Sequence, residues 1–168
     1  MSTQLKNAGV VLDKIKPDII IILGDRYDIF PIAIACHLKG IPLAHFHGGE
    51  ITHGAIDDAI RHSITKLSDI HFVGNADFKK RVKQLGENPK LIFNIGSVGV
   101  LAINSTKKIV KSEILKKFNI KNNYIMISLH PETINDDNDL IIKSLFKVLS
   151  ECVDTHIVFT CPNSDSGN

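Results

Sequence analysis

The sequence predicts an α/β protein built on parallel, doubly wound sheets. Three observations carry this. Short apolar runs of strand length alternate with amphipathic runs of helix length, the connections between them are short, and most of the apolar runs end in glycine or ionisable residues. Such alternation calls for a parallel sheet with crossover helices. A continuous apolar run such as Ile19 to Leu23 suits a strand covered on both faces.

The elements follow in order. Residues 5–16 read as a helix ending at Lys16-Pro17, and 18–23 as the first strand. Residues 27–39 read as a helix with Gly40 as its stop, and 42–47 as the second strand. Residues 56–67 are amphipathic, 70–73 form a third short strand, 76–85 a helix ending near Gly86, and 91–95 a fourth strand. Between Gly96 and Lys121 the character changes. A Gly-Ser-Val-Gly turn and Asn104-Ser105-Thr106 lead into a Lys-rich helix, and a domain boundary is expected there, with one domain over 1–104 and a second over 105–168. The second holds a strand at 124–129, a helix at 137–152 and a strand at 155–160. Two strands are too few for an independent sheet, so this half is expected to be incomplete.

Composition excludes several function classes. The chain has 168 residues, 43% of them hydrophobic and 23% charged, with a formal net charge of +2. Its lysines are scattered on presumptive helix faces, as at Lys79, Lys80 and Lys83, rather than gathered into a nucleic-acid groove. The apolar runs are too short to span a bilayer, and the N-terminus lacks a charged-then-apolar signal pattern. Cys36, Cys152 and Cys161 are widely spaced with no CxxC, and read as reduced residues of a cytoplasmic protein. No GxGxxG fingerprint or Walker loop occurs.

Ligands of open parallel sheets bind beyond the carboxyl ends of the strands, so the residues after each strand are the candidates. The first strand is followed by Gly24-Asp25-Arg26, the second ends in His45-Phe46-His47-Gly48-Gly49-Glu50, the 124–129 strand leads into His130-Pro131-Glu132-Thr133, and the last into Pro162-Asn163. Several strand ends rich in carboxylates and imidazoles suggest an acid–base site. Each residue also has an ordinary structural role. Asp25 could cap the next helix, and Asp57 and Asp58 complement a helix dipole and stand four residues before Arg61 and His62. His45 and His47, two apart on one strand, should face the same way. They could ligate zinc with a carboxylate, but HxH alone completes no ligand set, and no metal or cofactor is expected. His37, His53, His62, His71 and His156 have no comparable context and read as structural.

Taken together, the motifs are specific. Gly24-Asp25-Arg26, His45-x-x-Gly48-Gly49-Glu50, Ile56-Asp57-Asp58-x-Ile60-Arg61-His62-x-Ile64-Thr65-Lys66, His130-Pro131 and Pro162-Asn163-x-Asp165-x-Gly167 occur in that order. Their order and spacing, over nearly all of the chain, strongly resemble the hydrolysing UDP-N-acetylglucosamine 2-epimerases. The resemblance implies two Rossmann-like domains of the GT-B type, both incomplete here: the later part of the first, and the start of the second, UDP-binding one. It implies a UDP-sugar substrate and, for the full-length enzyme, a homo-oligomer. In the implied reaction a base removes the C2 proton as UDP leaves C1, giving a 2-acetamidoglucal, and water then adds to give an N-acetylmannosamine-type sugar. Asp25 and Asp57 match acidic positions implicated in the proton transfers, and His130 a histidine near the leaving phosphate. Many relatives carry His-x-Glu-Gly-Gly-Glu where this chain has His-x-His-Gly-Gly-Glu, so His47 and Glu50 join the catalytic candidates. Arg26, His45, His130 and Asn163 are expected to bind substrate. Two other readings stand beside this one. The chain could be a non-catalytic UDP-sugar-binding fragment of the same fold, or the same reaction could act on a UDP-2,4-diacetamido-trideoxyhexose, leading to legionaminic rather than sialic acid. A metal-dependent hydrolase using His45, His47 and a carboxylate is disfavoured by the resemblance.

Overall fold

The structure, a computed structural model, describes residues 1–121, 123–130 and 138–161. The chain divides into two compact units, Met1–Ser105 and Thr106–Asn168.

The first unit opens with α1 (Ser2–Ile15), which stops where Lys16 turns left-handed ahead of Pro17. Four parallel strands follow in the order β1 (Ile20–Leu23), β2 (Leu43–Phe46), β3 (Ile70–Val73) and β4 (Ile92–Asn94). They are linked by α2 (Phe30–Leu38), α3 (Asp57–Leu67) and α4 (Ala76–Gln84), and α5 (Val98–Ser105) closes the unit. Ile22, His45, His71 and Ile92 are aligned across the sheet by its register, and all four are buried. This is the helix-covered face. Leu12, Ala33, Cys36, Leu43 and Ile64 pack with Ile22, while Val82 packs with Val73 and Ile92. A strand order that advances in one direction, with right-handed crossovers, places α2, α3 and α4 on one side.

The opposite face reads differently. Ile21 and Leu23 are 65% and 59% exposed, although the sequence there suits a strand covered on both sides. Phe46, Phe72 and Phe93 form an aromatic ladder on this face, with ring centroids 4.5 and 5.6 Å apart.

Two expectations are corrected. β2 ends at Phe46, and His47 adopts a left-handed backbone with φ 64°, so His45 and His47 do not continue one strand's alternation. The Gly96–Gly99 stretch, expected to be a turn, starts α5 at Val98.

The second unit contains α6 (Lys111–Lys117), β5 (Tyr124–Ile127), α7 (Asn138–Ser150) and β6 (His156–Phe159). β5 and β6 pair in parallel. Parallel neighbours need a crossover, which a helix such as α7 supplies. Phe146 of α7 stacks on Phe159 of β6 at 5.7 Å. No helix among the described residues is long and apolar enough to cross a membrane.

Candidate functional site

Because the strands are parallel, β1 and β2 release the chain at the same edge. The ladder continues one step past them: Gly24 N–H donates to the Phe46 carbonyl, and His47 N–H to the Phe72 carbonyl. Gly24 then turns with φ 85°, a backbone open to glycine at little cost, and presents Asp25. Beyond His47 the chain doubles back through Gly48 and Gly49. An added Cβ on Gly49 would lie 2.5 Å from the Phe78 carbonyl oxygen, so α4 approaches the loop too closely for any side chain. Arg81 of α4 also donates to the Gly49 carbonyl.

Helix α3 points its first turns into this edge. Arg61 lies on the same helix face as buried Ile64 and Thr65 and is only 7% exposed. Its guanidinium pairs with the Asp25 carboxylate, donates to Thr52 Oγ1 at 3.0 Å, and stands 3.6 Å from Glu50 Oε2. The other Glu50 oxygen accepts from His47 Nδ1 at 2.7 Å. Asp25, Arg61, Glu50 and His47 thus form one continuous polar chain. A buried cation fixes two carboxylates, and the second carboxylate fixes an imidazole whose Nε2 Glu50 leaves unengaged. Groups that can give and take protons are held close together, as acid–base chemistry requires.

Around this chain, Asp58 Oδ1 accepts the Thr52 N–H at 2.8 Å, pinning the loop that follows Glu50. Its other oxygen lies 3.8 Å from His62 Nε2, the i,i+4 pairing expected for α3. Arg61, expected to pair along the helix, spans to Asp25 and Glu50. Asp57 is half-buried at the start of α3. Arg26 is exposed, with Nε 3.3 Å from Asp28 Oδ1.

His45 sits apart. It is wholly buried, with Nε2 2.8 Å from the Gly24 carbonyl oxygen and Nδ1 3.1 Å from Thr65 Oγ1. Burial holds its imidazole down at about 4, against the opposing pull of the Gly24 carbonyl. Both ring nitrogens being occupied by protein atoms, His45 lies beneath the edge instead of presenting a polar group to a ligand there. The same occupancy leaves it no lone pair for a metal. Among the described residues, no group of three His, Cys, Asp or Glu side chains is placed to hold a metal ion. A second buried histidine, His71, lies 3.3 Å from Glu87, which pairs with Lys66; burial lowers its pKa too. In the second unit, His130 is exposed after β5, with Nε2 3.4 Å from Ser128 Oγ. Asn163 lies outside the described residues.

Sequence reasoning passed over Arg61 as a site residue, together with Thr52 and Thr65. The available signal was a charged residue on the apolar face of α3, where an unpaired arginine would not be tolerated.

The chain resembles known proteins along its length. A family model described as UDP-N-acetylglucosamine 2-epimerase matches residues 1–168. The chain is 43% identical over 168 residues to a GDP/UDP-N,N'-diacetylbacillosamine 2-epimerase (hydrolyzing) of Campylobacter jejuni, covering 98% of this chain and 44% of that protein. It is 33% identical over 162 residues to a UDP-N,N'-diacetylbacillosamine 2-epimerase (hydrolyzing) of Legionella pneumophila, covering 94% and 42%. Among solved structures, the UDP-N-acetylglucosamine 2-epimerase of Rickettsia bellii superposes with a TM-score of 0.79 at 25% identity, over 96% of this chain and 43% of that one. The UDP-GlcNAc 2-epimerase of Neisseria meningitidis, bound to UDP-GlcNAc, gives 0.72 at 19% identity, over 95% and 54%. The chain therefore spans a little under half the length of the curated relatives it matches.

Proposed function

We propose, from the premise that this chain belongs to the UDP-N-acetylglucosamine 2-epimerase family, that it carries the proton-transfer half of a hydrolysing UDP-amino-sugar 2-epimerase. The observation that carries the proposal is the polar chain Asp25–Arg61–Glu50–His47 at the carboxyl edge of a parallel sheet. Removing a weakly acidic C2 proton needs a positioned base, and the returning water needs an acid–base partner on the other side of the sugar. Asp25, His47, Glu50 and Asp57 are the candidates for these roles. Arg61 fixes the geometry of the two carboxylates it touches. Arg26, and from the second unit His130 and Asn163, are the proposed substrate contacts, with His130 near the leaving phosphate. His45 is reassigned from substrate contact to support.

The substrate class is a UDP-linked 2-acetamido sugar. Relatives are named for N,N'-diacetylbacillosamine, for polysialic acid biosynthesis and for UDP-N-acetylglucosamine, so the 2,4-diacetamido-trideoxy sugar and UDP-N-acetylglucosamine are both candidate substrates. The complete enzyme would act as a homo-oligomer in the cytoplasm, in keeping with three free cysteines. The alternative of a UDP-sugar-binding piece without turnover separates cleanly. Release of UDP from each of the two UDP-sugars is followed in the complete enzyme, with Asp25→Asn beside wild type. The proposal expects turnover that falls by about 10²–10⁴-fold in the variant while UDP binding persists. Binding without turnover in the wild type would favour the alternative, and undiminished UDP release in Asp25→Asn would remove Asp25 from catalysis.

A further inference from the structure

We propose that His45 and Thr65 are a positioning pair that holds the peptide in front of Asp25, and so sets where its carboxylate stands. This rests on the reading of Asp25 as an acid–base group given above.

The protonation pattern follows from the partners. A carbonyl oxygen only accepts, so the His45 nitrogen 2.8 Å from the Gly24 carbonyl must carry the ring hydrogen. His45 is then the Nε2–H tautomer, and its bare Nδ1 accepts from the Thr65 hydroxyl at 3.1 Å. That hydroxyl has a second acceptor within reach, the Arg61 carbonyl at 3.1 Å, and the imidazole competes with it for the single hydrogen. The contact is also closed off from above. A Cβ added to Gly48 would lie 3.0 Å from Thr65 Oγ1 and 3.1 Å from His45 Nδ1, so only glycine leaves this bond undisturbed.

Helix α3 therefore grips the turn after β1 at two points one helical turn apart. Arg61 takes the Asp25 carboxylate, and Thr65, through His45, takes the carbonyl of the residue before it. Either hold alone would leave a degree of freedom. Gly24 adopts φ 85°, where the backbone has no Cβ to restrain it. A carboxylate tethered only by a long arginine could swing with that peptide, and a fixed peptide without the arginine would leave the carboxylate to choose its rotamer. Displacement of a reacting group by about 1 Å can lower turnover by about 10²-fold, which sets the effect to expect.

The experiment uses steady-state UDP release in the complete enzyme for conservative and disruptive variants at both positions. His45→Gln carries an amide able to reach the Gly24 carbonyl, whereas the shorter His45→Asn does not. Thr65→Ser keeps the hydroxyl, and Thr65→Val keeps only the shape. The expected result is a kcat lower by about 10²-fold in His45→Asn and Thr65→Val, with KM within about twofold of wild type, and near-normal kcat in His45→Gln and Thr65→Ser. Equal kcat in all four, with Asp25→Asn inactive, would overturn the positioning role and leave the Asp25 assignment standing. Undiminished turnover in Asp25→Asn would overturn the assignment, and the positioning role with it. If a disruptive variant does not fold, ¹⁵N NMR of the wild-type histidine rings decides the matter. A proton on His45 Nε2 with Nδ1 bare is expected, and the opposite tautomer would overturn the proposal.

Discussion

Arg61 and Asp25, 36 positions apart in the chain, are joined in one part-buried ion pair that ties helix α3 to the end of β1. Glu50 stands on the other side of the same guanidinium. Arg61→Met would leave two carboxylates facing each other without a cation. Breaking a buried pair costs about 3–5 kcal/mol, and the part-exposure of Asp25 and Glu50 makes that range a ceiling. The urea midpoint is expected to fall accordingly. Arg61→Lys, which keeps the charge and loses the fork, should recover part of the stability but little of the turnover. An unchanged midpoint in Arg61→Met would show that the pair is structurally idle.

Stability should rise with pH between about 4 and 6.5. The His45 imidazole is held down at about 4 in the fold and returns to about 6.5 on unfolding. Between those values the unfolded chain binds the extra proton, so folding weakens as pH falls through the window and is unaffected by this group above it. The full difference corresponds to about 3 kcal/mol for His45. His71, lowered in the same direction by burial, adds to the slope. Urea titrations across this range should show the trend, with a shallower slope in His45→Gln. An equal slope in that variant would assign the effect elsewhere.

Gly24 and Gly49 both adopt positive φ, yet they should respond differently to alanine. A Cβ on Gly24 meets nothing within 4 Å, so only the left-handed backbone is penalised, by about 1–2 kcal/mol. A Cβ on Gly49 would also meet the Phe78 carbonyl at 2.5 Å and Val82 Cγ2 at 2.8 Å, forcing α4 away from the loop. Gly49→Ala should therefore lower the thermal midpoint by clearly more than Gly24→Ala. Equal shifts would mean that α4 yields freely.

The sheet face carrying Ile21, Leu23 and Phe93 is expected to drive association of this chain. These side chains are 65%, 59% and 44% exposed and share one face by register. Contiguous apolar surface of this kind marks interaction or aggregation. Sedimentation velocity should show concentration-dependent association that Leu23→Lys and Phe93→Lys reduce. A monomer at all concentrations would count against it.

Much of this organisation is legible in the sequence, for physical reasons that differ between elements. The strand at 70–73 and the helices around 57–67 and 76–84 are bounded as expected, because apolar period and flanking polar residues agree there. Asp25, His47 and Glu50 could be found because glycine-linked polar residues follow short apolar runs. Position along the chain could not show that Arg61 reaches across to Asp25, since that contact depends on how α3 settles against the sheet. The role of His45 was hidden for the same reason. A strand-end imidazole looks alike in sequence whether it faces a ligand or, as here, the inside of the protein. The end of β2 was misplaced because nothing in His-Phe-His announces a left-handed residue.

The left-handed backbone of His47 sets stability against turnover at that position. A non-glycine residue gives up about 1–2 kcal/mol in such a backbone, and His47 adopts it at φ 64° while its ring is clasped by Glu50. The fold by itself would be better served by glycine. His47→Gly is accordingly expected to raise the thermal midpoint while lowering UDP release by the complete enzyme, and a loss of both would refute this. Where stability and turnover pull one position in opposite directions, drift toward a sturdier chain is a route to silence.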